Sequence, residues 1–451
     1  MAARYWVGGS ANWDATAGTK WATVDGGVGG AAVPTLSDDV YFTAASGAVT
    51  VTVTATANCA NLNFTGFTGT FAGTNAVAVY GNFTAYSGMT WTYSGTLSFQ
   101  GTCALTCAGK TLGAIQQSSA TSNVTLQDAF ASSGSITITA GTFTTNNYAV
   151  TAVSLSSSNA NTRTINLGSS TVTLTNTAAV IAFGTNTGLT FNAGTSSIVA
   201  SSQNATITGG LASGVGVTFY NVSFTYASTL NSTTTITSSN TFNNLSISAS
   251  SQPNAKRFIF DSPQTINGTL STTGTAGNRR VWFQSGAYGL AQTLTINGSA
   301  SLTDADFRDI YVIGTAAPIS GTRIGDLRGC SGITFSAPKT VYWNLAGVQN
   351  WSANGWAATS TGTPSTDYFP LAQATATFTN AGSVTGQISM DPAIPYTGTV
   401  DMSGRTSAMT RRKSGADRKS YHRRGCANAT SPCHKPASGR NHRSWATPSG
   451  F

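Results

Sequence analysis

The run Ile165-Asn166-Leu167-Gly168-Ser169-Ser170-Thr171-Val172-Thr173-Leu174 decides the fold. An apolar residue, a small polar residue and a second apolar residue make a short unit. Gly and Ser follow, and the unit returns. Period-two alternation of this kind marks a strand with one buried face. The unit recurs from about residue 45 to 340, as Val124-Thr125-Leu126, Ile136-Thr137-Ile138, Leu189-Thr190-Phe191, Val217-Thr218-Phe219, Leu294-Thr295-Ile296 and Ile333-Thr334-Phe335. Turn residues separate the units, and no helical pattern lies between them. Such spacing fits a sandwich or the successive faces of a solenoid coil. Nearly 300 residues run without a linker, whereas sandwiches would need separate cores of roughly 100 residues each. The expected fold is therefore all-β, a parallel β-helix or β-solenoid. Several units open with Asn, as in Asn61-Leu62-Asn63-Phe64, Asn221-Val222-Ser223-Phe224 and Asn244-Leu245-Ser246-Ile247. Asn tolerates turn geometry, and Asn at corresponding corners of stacked coils can form ladders.

Composition agrees. The chain has 451 residues and 40% apolar content, but only 8% of residues are charged, against roughly 25% in an ordinary soluble domain. All 14 acidic residues are Asp. A chain without the strong helix former Glu is no helical bundle, coiled coil or doubly wound α/β enzyme. The net charge of +9 is not spread evenly. Residues 1–410 hold 13 basic and 13 acidic side chains, whereas residues 411–451 hold 10 basic residues and Asp417. That tail contains no Val, Ile, Leu or Met, so it reads as disordered. A nucleic-acid partner is not expected, because the body is neutral. No segment has 18 uninterrupted apolar residues, so no membrane span is expected. The start, Met1-Ala2-Ala3-Arg4-Tyr5-Trp6, lacks the apolar core of a signal peptide.

A longer repeat frames the body. Tyr5-Trp6, Asn12-Trp13, Trp21-Ala22, Pro34 and Phe42-Thr43 return as Tyr342-Trp343, Asn350-Trp351, Trp356-Ala357, Pro370 and Phe378-Thr379, at offsets of 335 to 338. The second copy continues through Thr399-Val400-Asp401-Met402-Ser403-Gly404, which aligns with Asn61-Leu62-Asn63-Phe64-Thr65-Gly66. The expected organisation is a Trp-rich N-terminal module over 1–60, a solenoid body over 61–340, a second and incomplete module over 341–410, and the basic tail over 411–451. The abrupt change near residue 410 fits either an authentic tail or an out-of-frame reading of the gene.

The run Asp306-Phe307-Arg308-Asp309-Ile310, with Gly321-Thr322, Gly325-Asp326, Gly332-Ile333-Thr334-Phe335 and the Tyr-Trp…Asn-Trp module, resembles Thr/Gly-rich tail-fibre and virion-surface proteins of tailed bacteriophages. The resemblance covers most of residues 1–410 and brings no catalytic residues. It implies a structural and adhesive protein of a phage virion, presenting a rigid solenoid to host-surface polysaccharide beside other virion proteins, often as a homotrimer. Two alternatives stand beside it: a tailspike-like depolymerase (a glycoside hydrolase or polysaccharide lyase) and a bacterial surface adhesin. No cofactor is expected.

Candidate chemistry is sparse. Asp304, Asp306, Arg308 and Asp309 form the densest charge group of the body, and on a strand Asp304, Asp306 and Arg308 share a face. Glycoside cleavage needs two carboxylates about 5–9.5 Å apart; the bland alternative is a solvated Asp–Arg face. Arg279-Arg280 could add charge stabilisation or simply solubilise an edge. Tyr5, Trp6, Trp13, Trp21, Tyr342, Trp343, Trp351 and Trp356 either stack on sugars or cap the ends of the solenoid. The run Ala104-Leu105-Thr106-Cys107-Ala108-Gly109-Lys110-Thr111 matches a relaxed phosphate loop, but no helix follows to complete it. Cys103 and Cys107 read as buried small residues. His422, Cys426, Cys433 and His434 fit no common zinc spacing, so no metal site is expected.

Overall fold

The structure is a computed structural model that describes residues 2–210, 214–226, 232–381, 386–390, 394 and 396–406, and the backbone of 410–413. The chain is a parallel β-solenoid. Its coils stack strand on strand into one 10-stranded and two 13-stranded sheets, with a further four-stranded sheet beside the first coils. The residues of Ile165-Asn166-Leu167 and Val172-Thr173-Leu174 do what the alternation requires. Ile165, Leu167, Val172 and Leu174 are buried, while Asn166 and Thr173 are not. Each inward Leu, Ile, Val or Phe contributes about 1.5–3 kcal/mol by leaving water, and the column of such residues is one continuous core from Trp6 to Ile324.

Coil length varies along the axis. Ala57 pairs with Val77 and Val77 with Leu97, giving coils of 20 residues. Leu155 pairs with Ile181 and Ile181 with Ile207, giving coils of 26. The longer coils need internal support for their corners. Arg163, fully buried, supplies it by donating to the carbonyls of Ser157, Asn161, Thr185 and Thr187 at 2.7–3.2 Å. From residue 215 onward two sides of the coil merge. In the ten-residue strand Val215–Phe224, Phe219 packs on Phe191 of one sheet while residues 221–224 pair with Ser197–Ala200 of another. Asn ladders run between coils: Asn244 donates to Asn221 at 2.8 Å, Asn192 to Asn166 at 2.7 Å, and Asn297 to Asn267 at 2.9 Å.

Both Trp-rich stretches adopt one pairing scheme. In the first, Ala3–Trp6 pairs antiparallel with Trp21–Ala22 and parallel with Asp39–Tyr41. In the second, Thr340–Trp343 pairs antiparallel with Trp356–Ala357 and parallel with Thr375–Thr377. The ring geometry repeats as well. Trp6 meets Trp21 edge-on at 5.0 Å, and Trp343 meets Trp356 edge-on at 5.0 Å. Phe42 and Phe378 sit under their respective Trp triplets.

The last strand of the second stretch, Thr410–Lys413, pairs with Gln387–Met390. The ladder thus enters the segment read as a disordered tail by three residues. Residues 414–451, including His422, Cys426, Cys433 and His434, lie outside the described residues. Among the described residues no helix is long and apolar enough to cross a membrane.

Candidate functional site

The charge group of the body lies where the last coils meet the second Trp-rich module. The strands Asn254–Phe260, Arg279–Ser285 and Ala305–Arg308 are neighbours in one sheet. Their inward residues include Phe258, Phe283 and Phe307, with Phe258 edge-on to Phe283 and Phe283 stacked on Phe307 in the core. Their outward residues are Ala255 and Arg257, Arg280 and Trp282, then Asp306 and Arg308. Much of this outward face is covered. Ala255 and Trp282 belong to a second core, built with Val341, Trp343, Trp351, Trp356 and Phe378 of the module. Gly277 permits the approach, since a Cβ there would stand 2.1 Å from the Thr366 carbonyl oxygen.

An ion-pair network bolts the two parts together. Arg280, fully buried, grips Asp306 with Nε at 2.5 Å and Nη2 at 2.7 Å. Arg323 grips Asp304 with Nε at 2.6 Å and Nη2 at 2.9 Å, and reaches Asp367 of the module at 2.7 Å. Tyr396 of the module donates its hydroxyl to Asp306. Although burial alone would lower the Arg280 guanidinium, Asp306 raises it above its ordinary value. Burial and then Asp306 push the Tyr396 phenol well up. Gln373 adds neutral bonds to the carbonyls of Ile324 and Ser336, both at 2.9 Å. A cavity of about 310 Å³ lies beside the bolt, bordered by Arg323, Lys339, Asp367 and Tyr368.

Asp304 and Asp306 are therefore structural partners. Sequence spacing placed Asp304, Asp306 and Arg308 on one exposed face, but Asp304 has φ +59° and turns the corner before the strand. Both carboxylates are fully buried, and each is held by a forked guanidinium. A general acid must present its proton to substrate, and these two are aimed at arginines. Asp309, at φ +53°, accepts from the Gly289 amide at 3.0 Å and so holds the loop 286–291.

Arg308 alone of the four faces outward in reach of solvent. Its guanidinium lies 5.2 Å from the Trp282 ring and 5.2 Å from the Tyr288 ring, and Arg257 also lies 5.2 Å from Trp282. Tyr288 is 85% exposed, so the ring that covers Arg308 shows its far face to water. Leu290, Tyr311 and Ile313 are exposed as well. Three buried polar atoms border it without a hydrogen-bond partner among the described residues: Trp282 Nε1, Gln284 Oε1 and Arg308 Nε. Neither Arg257 nor Tyr288 is distinguished by sequence spacing. The available signal is compositional: Gly286-Ala287-Tyr288-Gly289-Leu290 sets an aromatic and a leucine in a small-residue turn, outside any alternating strand.

The other expected sites resolve as follows. Trp6, Trp13, Trp21, Trp343, Trp351 and Trp356 are all buried and offer no face to a sugar, while Tyr5 and Tyr342 are half-buried. Trp6, Trp13 and Trp21 pack over Phe42 in the first coil of the solenoid core. The phosphate-loop-like turn is already filled by an internal anion. Asp128, one coil on, accepts from the Cys107 amide at 2.8 Å and the Ala108 amide at 2.6 Å. Cys103 and Cys107 are buried, and burial pushes the Cys103 thiol up to about 12. Among the described residues no cluster of three His, Cys or Asp side chains is placed to hold a metal ion. Comparison with protein-family models, with curated proteins and with solved structures gave no match to this chain.

Proposed function

We propose that this chain is a structural and adhesive protein of a tailed-phage virion, a fibre or related appendage that holds host-surface polysaccharide on the ledge formed by Tyr288, Arg308 and Trp282. The observation that carries the glycan reading is the exposed Tyr288 ring over Arg308, beside the Trp282 indole N–H and the Gln284 amide oxygen, both without a hydrogen-bond partner among the described residues. A pyranose presents an apolar face and a rim of hydroxyls. The ring face suits Tyr288 and the rim suits guanidinium, indole N–H and amide oxygen. The solenoid supports this role by placing Trp282 and Arg308 on strands and Tyr288 on a short loop held by Asp309, so little ordering entropy opposes binding. The virion origin is supported by the Thr/Gly-rich style of the sequence, and a trimeric assembly beside other virion proteins belongs to the same reading.

The test is binding of the purified full chain to an array of bacterial capsular and O-antigen polysaccharides. The expected result is saturable binding that Tyr288→Ala and Arg308→Ala each weaken at least about tenfold, equivalent to about 1.4 kcal/mol. Tyr80→Ala, at a distant coil, leaves it unchanged. Binding that survives Tyr288→Ala removes the ledge from the reading, and no binding to any polysaccharide removes adhesion. Release of oligosaccharide from any of these polysaccharides by the purified chain would favour the depolymerase. Peptides of this chain in purified virions test its location.

A further inference from the structure

The two Trp-rich modules differ at one edge. In the first, the strand Leu62–Asn63 follows Asp39–Tyr41 and is covered in turn by Phe83–Thr84. Leu62 is 1% exposed and Phe64 0%, with Phe67, Phe71 and Phe83 of the following coils packed on Phe64. In the second, Thr399–Asp401 follows Thr375–Thr377 in the same parallel register, Ala376 with Val400 matching Val40 with Leu62. Among the described residues no strand lies beyond it, and it is the edge of its sheet. Val400, the counterpart of Leu62, is 36% exposed, and Met402, the counterpart of Phe64, is 45% exposed. The turn that leads out of the strand is also repeated. The Asn63 side chain accepts from the Thr65 amide at 2.8 Å, and the Asp401 side chain from the Ser403 amide at 2.9 Å. Gly66 and Gly404 follow at the same place.

From this edge we infer that the second Trp-rich module is the start of a second solenoid. Thr410–Lys413 already stacks on Gln387–Met390 as Thr70–Gly73 stacks on Thr50–Val53, and Thr399–Asp401 is shaped to receive, in cis after Lys413, the next strand of that coil, the counterpart of Phe83–Thr84. The occupant is defined by its chemistry. It brings a parallel strand in register with Val400 and one or two large apolar side chains to close over Val400 and Met402. Residues 414–451 do not meet that need, since they contain no Val, Ile, Leu or Met. An edge strand with open N–H and C=O groups and open apolar positions is a template for pairing, and a solenoid grows by nearest-neighbour stacking of this kind.

Hydrogen exchange on the natural full chain is the first measurement. The amides of Val400 and Met402 should exchange at least about a hundredfold faster than those of Leu62 and Phe64, and equal protection would overturn the inference. The second measurement replaces residues 405–451 by a copy of residues 67–168, which restores the first module's own continuation. The Val400 and Met402 amides should then be slowed at least about tenfold, and Val400→Asp in the same fusion should abolish the gain. A fusion that leaves those amides as fast as in the natural chain overturns the inference, whether the added coils stay unfolded or fold elsewhere. Polysaccharide binding by Tyr288 is a separate readout, so either reading can fail without the other.

Discussion

In the first Trp-rich module, Trp6, Trp13 and Trp21 close the end of a core that continues without a break to Ile324. In the second, Trp343, Trp351 and Trp356 close a separate core, shared with the solenoid through Ala255, Trp282 and the flanking Leu327. The local code is the same in both, down to the edge-on Trp pair and the antiparallel register. What differs is how each is attached. The first is joined by apolar stacking of coil on coil, the second by its own small core, by the Tyr396 hydrogen bond to Asp306 and by the Arg323–Asp367 ion pair. One sequence pattern can thus act as a cap continuous with its solenoid or as a module bolted to its side, depending on what the following residues offer.

The largest test of that contrast is a cavity in each core. Trp21→Ala and Trp356→Ala should each cost about 3–5 kcal/mol. Trp21→Ala should lower the main thermal transition and deprotect the first coils in hydrogen exchange. Trp356→Ala should deprotect the second module and leave the coils before residue 254 intact. If Trp356→Ala unfolds the whole chain in one step, the two cores are one cooperative unit and the contrast is lost.

The next effect concerns the bolt. Asp306→Asn leaves the buried Arg280 without its forked partner, and breaking a buried pair costs about 3–5 kcal/mol. The expected outcome is faster proteolysis and exchange across residues 340–378, with the N-terminal module unchanged. Replacing both Arg280 and Asp306 by apolar residues should recover part of that loss, and a double variant no better than Asp306→Asn would show that the unpaired Arg280 is not the source of the loss.

The smallest effect is one of pH. Burial alone would raise the Asp38 carboxyl, but the Thr35 amide and hydroxyl and then Arg4 outweigh it and hold it below its ordinary value. A carboxyl lowered in the folded state adds stability above its unfolded value near 3.8, and that stability is lost as pH falls through the lower folded value. The second copy has Ala374 where the first has Asp38, so this acid sensitivity belongs to the first module. Asp38→Asn should cost about 1–2 kcal/mol at neutral pH and flatten the fall in melting temperature below about pH 4. An unchanged acid limb in Asp38→Asn would place the sensitivity elsewhere.

Much of the architecture was legible because one-sided burial writes itself as alternation. Val124, Leu126, Ile136 and Ile138 all point inward, and the ladder from Asn221 to Asn244 follows from repeating Asn at one corner. The Trp repeat was legible for the same reason, since a duplicated core keeps its large residues. The acidic cluster was misread. Its partners Arg280, Arg323 and Tyr396 lie 19 to 90 residues away, and nothing in the local spacing shows that they converge. Tyr288 was overlooked because a turn has no period from which an exposed ring could stand out.

The sequence by itself determined that residues 1–410 are a neutral, Glu-free stack of short strands with a duplicated Trp-rich module. Those properties are set by residues within a few positions of one another. Only the tertiary structure decided which side chains meet. In a parallel solenoid each ladder joins residues one coil apart, and in the body the coil runs from 18 residues between Leu97 and Ile115 to 30 between Ile266 and Ile296. That variable step turned two candidate catalytic aspartates into an ion-pair bolt, filled a phosphate-like turn with Asp128, and left Tyr288 and Arg308 facing solvent.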